Sequence, residues 1–304
     1  MNKNKVHMKV LSKLVFVVLL IGINQTVIYP QDAVFDYLGQ TPPGDKPVVF
    51  APGVVSVDNK NSHALVVSPN GNMIIFSRYP DKTSYILTKE NGKWIGPVES
   101  FFYGKEVSFS RDGKRIYYYT GGDIFYVERN SSGWNQPVKL GANVNTNSLI
   151  EFYPCIVASG DLYFSRDGNW ATGRLMRSEF KDGAFGMAED LGLPINSGGA
   201  LHAWFSPDES YVLFNSPRTG SHTQLDIWIS FKQNDGHWSD PKNLGEKINS
   251  GADAILCPIV SPDGKYLFFT KLNFSSNTGY IYWVSTSIMD SLKNSANNKI
   301  GMEQ

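Results

Sequence analysis

The sequence predicts an all-β fold, a propeller of four-stranded blades, five by repeat count, with an N-terminal strand closing the last blade. Three observations carry this. The composition is aromatic and turn-rich. One tight-turn motif recurs five times between apolar runs. The fourth strand of the last repeat is missing from its place and reappears near the N-terminus. Of 304 residues, 41% are hydrophobic, 13% aromatic and only 18% charged, with 28 Gly and 16 Pro. That is enough apolar matter for a core, and aromatic strands punctuated by Gly and Pro favour sheet over helix bundle.

The chain begins with Lys3, Lys5, Lys9 and Lys13, followed by the apolar run Leu14 to Ile23. Ten residues rise about 15 Å as a helix, short for a bilayer. A basic start, a short apolar centre and the polar Asn24-Gln25-Thr26 predict a signal peptide or an uncleaved N-terminal anchor over 1–31. The rest then carries 24 basic and 28 acidic residues, a net of −4. A mildly acidic body gives no electrostatic reason to bind nucleic acid.

The repeat opens with VVSPNGNMIIFS at Val66 to Ser77. It recurs as SFSRDGKRIYYY at Ser108 to Tyr119, IVASGDLYFS at Ile156 to Ser165, WFSPDESYVLFN at Trp204 to Asn215 and IVSPDGKYLFFT at Ile259 to Thr270. Taking Ser68, Ser110, Ser159, Ser206 and Ser261 as equivalent, the intervals are 42, 49, 47 and 55 residues, the range of propeller blades. Pro pre-sets φ, Asp or Asn bonds its own backbone and Gly supplies positive φ, so the motif closes an A–B hairpin. A third run, strand C, follows in each unit: Ser84–Thr88, Asp123–Val127, Arg174–Ser178, Asp226–Ser230 and Gly279–Val284. A Gly with an aromatic close behind leads to strand D, as at Gly92/Trp94, Gly133/Trp134, Gly183/Phe185 and Gly236/Trp238.

Strand D has its own signature: PVKLGANVNT at Pro137–Thr146, AEDLGLPINS at Ala188–Ser197 and PKNLGEKINS at Pro241–Ser250. The fifth unit lacks it, but PVVFAPGVVS stands at Pro47–Ser56. Ring closure resolves this, with Pro47–Ser56 pairing against Gly279–Val284 and leaving only short, protected edges. A six-bladed ring is the alternative if the 55-residue interval hides a unit. The expected domain spans 32–287, followed by a polar tail, 288–304, with one helical turn near Met289–Leu292. Cys155 and Cys257 fall in A strands of non-adjacent units, so free buried thiols are expected rather than a disulfide.

The recurring SPDG with its following apolar strand resembles the TolB-like, WD40-like propeller repeat of bacterial exported proteins, over about residues 37 to 287. The opening YLGQTPPGDKPVVFAPGVVS and the late SPDGKYLFFT with YIYWV are similar to one exported single-domain subgroup. The resemblance implies a fold and a bacterial cell-envelope setting, periplasmic or extracellular. It implies no function, since such propellers serve as binding platforms, assembly parts and companions of catalytic domains. The third unit lacks the Pro and the fourth has Glu209 for Gly, so those turns are expected to differ.

Topology places the candidate site. Strand A starts and strand B ends on the same face. Near the start of A sit His63, Glu106, Glu151, His202 and Asp253; beyond B sit Arg78, Arg166, Arg218 and Lys271. A strands line a propeller's axis, so nine ionisable groups are expected around one channel mouth. They would bind a polar ligand through guanidinium forks and hydroxyl-binding acids and His. Alternatively, each acid pairs with an Arg and locks blades together. Trp170, in the third unit's B–C loop, belongs to the same face, either as a contact residue or as loop packing.

No metal or cofactor is expected. The two His lie in non-adjacent units without H-x-H or H-E-x-x-H spacing, and the SPDG loops lack the successive acids of a calcium loop. No G-x-S-x-G occurs. The expectation is an exported, non-catalytic, monomeric propeller that binds a protein or glycan partner or small ligand at the mouth. The alternative is a glycan-active enzyme using Glu106, Glu151 and Asp253, which requires carboxyls about 5 to 9.5 Å apart.

Overall fold

The computed structural model describes residues 36–81 and 83–293, all within one compact unit. The expected signal or anchor, 1–31, lies outside the described residues. Among the described residues no helix is long and apolar enough to cross a membrane.

The described residues form five blades. Blade I comprises A Asn61–Val67, B Met73–Tyr79, C Ser84–Glu90 and D Lys93–Glu99. Blade II comprises A Lys105–Phe109, B Arg115–Thr120, C Asp123–Asn130 and a split D, Gly133–Trp134 and Val138–Lys139. Blade III has A Glu151–Ile156, B Leu162–Arg166, C Arg174–Ser178 and D Glu189–Asp190, with a small hairpin, Phe180–Lys181 and Ala184–Phe185, between C and D. Blade IV has A Leu201–Phe205, B Tyr211–Ser216, C Asp226–Phe231 and D Lys242–Asn243. Blade V has A Ala254–Val260, B Tyr266–Asn273 and C Thr278–Ser285, and its D strand is Val48–Val49.

Val48 lies opposite Trp283 and Val49 opposite Tyr282, antiparallel. The displaced segment therefore completes the final blade. The innermost strands neighbour one another in the cyclic order I, II, III, IV, V and back to I. Five apolar clusters fill the joints between successive blades. The V–I joint holds Phe50, Phe76, Phe268 and Trp283, with Phe50 edge-on to both Phe268 and Trp283. Residues before strand D add a strap. Tyr37 packs against Tyr266 and Trp283 and its hydroxyl donates to Asp263 at 2.5 Å. Asp36 accepts from Trp94 Nε1 and pairs with Lys89 of blade I, and Asp45 pairs with Lys247 beside strand D of blade IV.

The motif turns follow from their chemistry. In blade II, Ser110 Oγ accepts the Arg115 amide at 2.8 Å, while Asp112 accepts from the Ser110 hydroxyl and the Lys114 amide. In blade V, Ser261 and Asp263 repeat the pattern. The fourth turn keeps this geometry: Glu209 takes the glycine's place at φ +58°. Its carboxylate binds the Tyr163 hydroxyl at 2.5 Å and faces Lys232. The third turn is the one that differs. Val157, not Ser159, donates the closing amide bond, to Asp161. The corrected intervals between turn starts are 42, 47, 49 and 55 residues.

The D signature proves to be a two-residue strand plus a buried latch. Asn145, Asn196 and Asn249 each accept the amide and donate to the carbonyl of one residue in their own C strand: Ile124, Leu175 and Ile227. Ser56 does this for blade V, bonding both groups of Ile281. Past residue 287 packing continues. Met289 is fully buried with Leu213 and Phe269, and Lys293 lies 4.8 Å over the Tyr211 ring. Cys155 and Cys257 are buried free thiols.

Candidate functional site at the channel mouth

Every A strand carries a bulge at its mouth end. The A–B register slips between His63/Val66, Lys105/Ser108, Phe152/Cys155, Leu201/Trp204 and Leu256/Ile259. At each bulge one non-glycine residue is left-handed: Ala64, Glu106, Tyr153, His202 and Cys257, with φ between +46° and +55°. Such a conformation costs of order 1 kcal/mol or more, and bulges re-aim side chains next to functional sites. The bulge frees each residue's amide from the ladder, and the neighbouring blade's side chains receive it. Glu106 N–H donates to Ser77 Oγ, His202 N–H to Ser165 Oγ and Cys257 N–H to Asn215 Oδ1. The Tyr153 amide faces the Glu106 carboxyl and the Ala64 amide the Cys257 thiol. Ala64, Tyr153 and Cys257 pack together with Phe152 and Leu201.

This corrects the equivalence expected from sequence. Glu106 and His202 are bulge residues. His63 precedes its bulge, whereas Glu151 and Asp253 lie at or before the start of their strands. Tyr153, Cys257 and Lys105 are the axial residues that the sequence reading missed. A usable signal existed: each bulge residue lies four positions before the residue that opens its A–B turn, at 68, 110, 157, 206 and 261.

The four basic residues expected beyond strand B share one task, although Arg78, Arg166 and Lys271 prove to lie in the last residues of the strand and only Arg218 past it. Arg78 donates to Val54 O at 2.8 Å, Arg166 to Val144 O at 2.8 Å, Arg218 to Ile195 O at 2.6 Å and Lys271 to Ser250 O at 2.6 Å. Each acceptor belongs to the D segment of the preceding blade, so each cation clasps two blades, and Arg78 spans the V–I closure. Arg78, Arg166 and Arg218 also lie 4.9–5.3 Å over Phe76, Phe164 and Phe214 of their own B strands. Burial lowers Arg218 to about 10 and pulls Lys271 down as well. Blade II has no such clasp. There Gly104 lies so close to the Tyr118 ring that a Cβ would stand 2.1 Å from it.

The acids divide. Glu151 is fully buried, pairs with Arg166 Nε at 2.9 Å, and accepts the Thr146 amide and hydroxyl. Asp253 accepts the Phe274 amide at 2.7 Å, fixing the B–C loop of blade V. Glu106 is different. It is buried, its Oε2 has no partner, and burial pushes its carboxyl up to about 7 against a smaller opposing pull from Lys105. Beside it the imidazoles are held neutral. Burial, reinforced by Lys105, lowers His63 to about 4; burial, then His63 and Lys105, lowers His202 to about 3. His63 Nδ1 faces the Asn61 carbonyl at 3.3 Å. His202 packs edge-on to Phe152 and Tyr153, and its buried Nδ1 is unpartnered. Lys105 has no carboxylate within ion-pair distance among the described residues. No group of three or more His, Cys, Asp or Glu among them could hold a metal ion.

Around this floor the mouth-side connections are apolar. Val54, Tyr79, Tyr103, Leu149, Ile150, Trp170 and Phe274 stand exposed on D–A or B–C connections or at the end of strand B, whereas exposed Phe101 stacks on Trp134 of the next blade and Leu193 lines an outer cleft with His237 and Trp238. On the opposite connections, among the described residues, only Met187 stands exposed. Trp170 of blade III and Phe274 of blade V, each 38% exposed, meet with ring centroids 5.8 Å apart.

No family model matches the chain, and no curated protein matches it. Solved structures do. A protein designated TolB from Agrobacterium tumefaciens aligns at TM-score 0.50 and 17% identity, over 75% of this chain and 78% of that one. TolB from Acinetobacter baumannii aligns at 0.46 and 15%, over 75% of this chain; the match spans only 55% of that protein. A gluconolactonase from Xanthomonas campestris aligns at 0.47 and 13%, over 81% and 87%. The closed five-bladed ring with its SPDG turns has the propeller fold of the TolB type.

Proposed function

We propose that this chain is an exported, non-catalytic propeller that acts as a single chain in the periplasm or outside the cell and binds its ligand or partner at the channel mouth. The basic and then apolar start supports export. The observation that carries the binding reading is the division of labour at the mouth. The outer charges are consumed in clasping blades, while the axial floor keeps partnerless polar atoms beneath a rim of exposed aromatic side chains. Apolar and aromatic side chains beside a few polar groups are the usual lining of a ligand site.

The same facts weaken the glycosidase alternative. That chemistry needs two free carboxyls flanking one bond, and Glu151 and Asp253 are engaged elsewhere. The test is a screen of the purified protein against small-molecule, peptide and saccharide libraries, scored for both binding and turnover. Binding without turnover, weakened by Trp170→Ala, supports the reading. Turnover abolished by Glu106→Gln overturns it.

A further inference from the structure

We propose that the cleft on the outer seam between blades III and IV binds one ring of a neutral saccharide, as a second site apart from the channel mouth. The cleft holds about 250 Å³, a little less than a drug-sized pocket and suited to a single sugar ring. Arg177 and Glu189, on strands C and D of blade III, form one wall with Leu193. Lys232, His237 and Trp238, past the end of strand C of blade IV, form the other. Glu189, Leu193 and His237 are exposed, and the Arg177 and Lys232 side chains are 38% and 35% exposed. A solute therefore reaches both walls.

The pairing inside the cleft selects the ligand class. Arg177 and Glu189 lie directly opposite each other in the strand register, yet they form no ion pair. Arg177 is drawn away by Asp161, itself only 3% exposed, which accepts its Nε and Nη2 at 3.0 and 2.6 Å. That leaves Arg177 Nη1 and the whole Glu189 carboxylate without a partner among the described residues. Lys232 lies 5.8 Å over the Trp238 ring, and its Nζ stands 3.7 Å from Glu209 Oε2, beyond hydrogen-bond length. Glu209 is committed to the hydroxyl of Tyr163, which also lines the cleft, at 2.5 Å.

A ligand that reaches Arg177 therefore also faces Glu189. A carboxylate or phosphate would meet the unpaired Glu189. An ammonium would meet Arg177 and Lys232. A hydroxyl accepts from a cation and donates to a carboxylate, so adjacent ring hydroxyls satisfy both at once. The other charges cancel in pairs, Asp161 with Arg177, Glu209 with Lys232 and Asp190 with Arg174. No surplus of cations remains to draw an anion. Leu193, 78% exposed, offers an apolar surface to the sugar's C–H groups. The wall is also preformed. Asp161 accepts the Phe180 amide as well, so the guanidinium is fixed before a ligand arrives, which lowers the ordering cost of binding.

The experiment is an NMR titration of the full chain, carrying isotopically labelled tryptophan, with the methyl glycosides of glucose, galactose, mannose and N-acetylglucosamine. Glucuronate and glucosamine serve as the charged comparison. The Trp238 indole signal is identified by its absence in Trp238→Phe. At least one neutral glycoside is expected to shift it in a saturable way. Glu189→Ala removes an exposed side chain with no partner, so its melting temperature is expected to equal the parent's. Its affinity is expected to fall about tenfold, the worth of one hydrogen bond to a charged group. Glu189→Gln keeps an acceptor and is expected to lose less. Trp170→Ala is expected to bind as the parent does.

The absence of a saturable shift with any neutral glycoside overturns the proposal. So does tighter binding of glucuronate or glucosamine than of every neutral sugar, or an affinity unchanged in Glu189→Ala. A sugar that leaves the Trp238 signal in place and is lost in Trp170→Ala binds at the mouth; the cleft then falls and the mouth reading stands. Binding that survives Trp170→Ala and fails in Glu189→Ala supports the cleft, whatever occupies the mouth.

Discussion

Replacing Arg166 by Met tests the clasp most sharply. Its guanidinium holds two things at once: the Glu151 carboxylate at 2.9 Å and the Val144 carbonyl of the preceding blade at 2.8 Å. Glu151 has no exposed surface, so the variant strands a buried anion that keeps only its bonds from Thr146. Removing one member of a buried pair costs about 3–5 kcal/mol. For a domain of this size each kcal/mol shifts the melting point by about 2–4 °C, so a drop of roughly 10 °C is expected. The assay is thermal unfolding by circular dichroism, with Glu151→Gln and the double variant completing the cycle. The double variant should recover much of the loss, since the stranded charge is gone. A drop below about 2 °C, or losses that simply add, would refute a structural role for the pair.

Other expectations follow from the same geometry. Asn249→Ala removes the bonds to both backbone groups of Ile227 and should cost about 2–4 kcal/mol, read by urea unfolding; a change under 0.5 kcal/mol would contradict the latch. Tyr37→Phe deletes the strap's bond to Asp263 and should cost about 1–2 kcal/mol by the same measurement. Stability should also depend on pH through the floor. The folded Glu106 carboxyl titrates near 7, above its ordinary 4.5, so its neutral form is favoured and its contribution is lost as pH rises from about 4.5 through 7, about 3 kcal/mol in all. His63 and His202, lowered to about 4 and about 3, contribute fully above 6.5 and lose that contribution as pH falls below it. With two histidines gaining and one carboxyl losing, melting temperature should rise up to about pH 7 and level off there, and Glu106→Gln should steepen that rise between about pH 4.5 and 7; an unchanged slope would refute the assignment.

Much of the ring was legible because a tight turn has strict chemistry. Ser, Asp and Gly recur wherever a hairpin needs a hydroxyl acceptor, an amide-binding carboxylate and positive φ, so Ser110, Asp112 and Gly113 announced a strand pair. Pro47–Ser56 was recognisable because the closing blade needs the same latch as the others, with Ser56 in place of Asn. The third turn misled because Val157 takes the serine's position without its chemistry, which moved the alignment by two residues. The axial floor was harder to read. A left-handed bulge is normally signalled by glycine, yet here Glu106, Tyr153, His202 and Cys257 adopt it, held by amide bonds to neighbouring blades that no local pattern encodes. Sequence placed Arg166 and Glu106 at one mouth. It could not reveal that one is clasped between blades and that the other keeps one oxygen without a partner.

The most direct test of the division between clasping and ligand-facing groups is the melting temperature of Glu106→Met set beside that of Arg166→Met. The expected outcomes are opposite: Glu106→Met melts near the parent temperature, because the loss of a buried oxygen without a partner offsets the loss of the bond from the Tyr153 amide, while Arg166→Met melts roughly 10 °C lower. A fall of similar size in both would contradict this division and would assign all the ionisable groups at the mouth to holding the ring together.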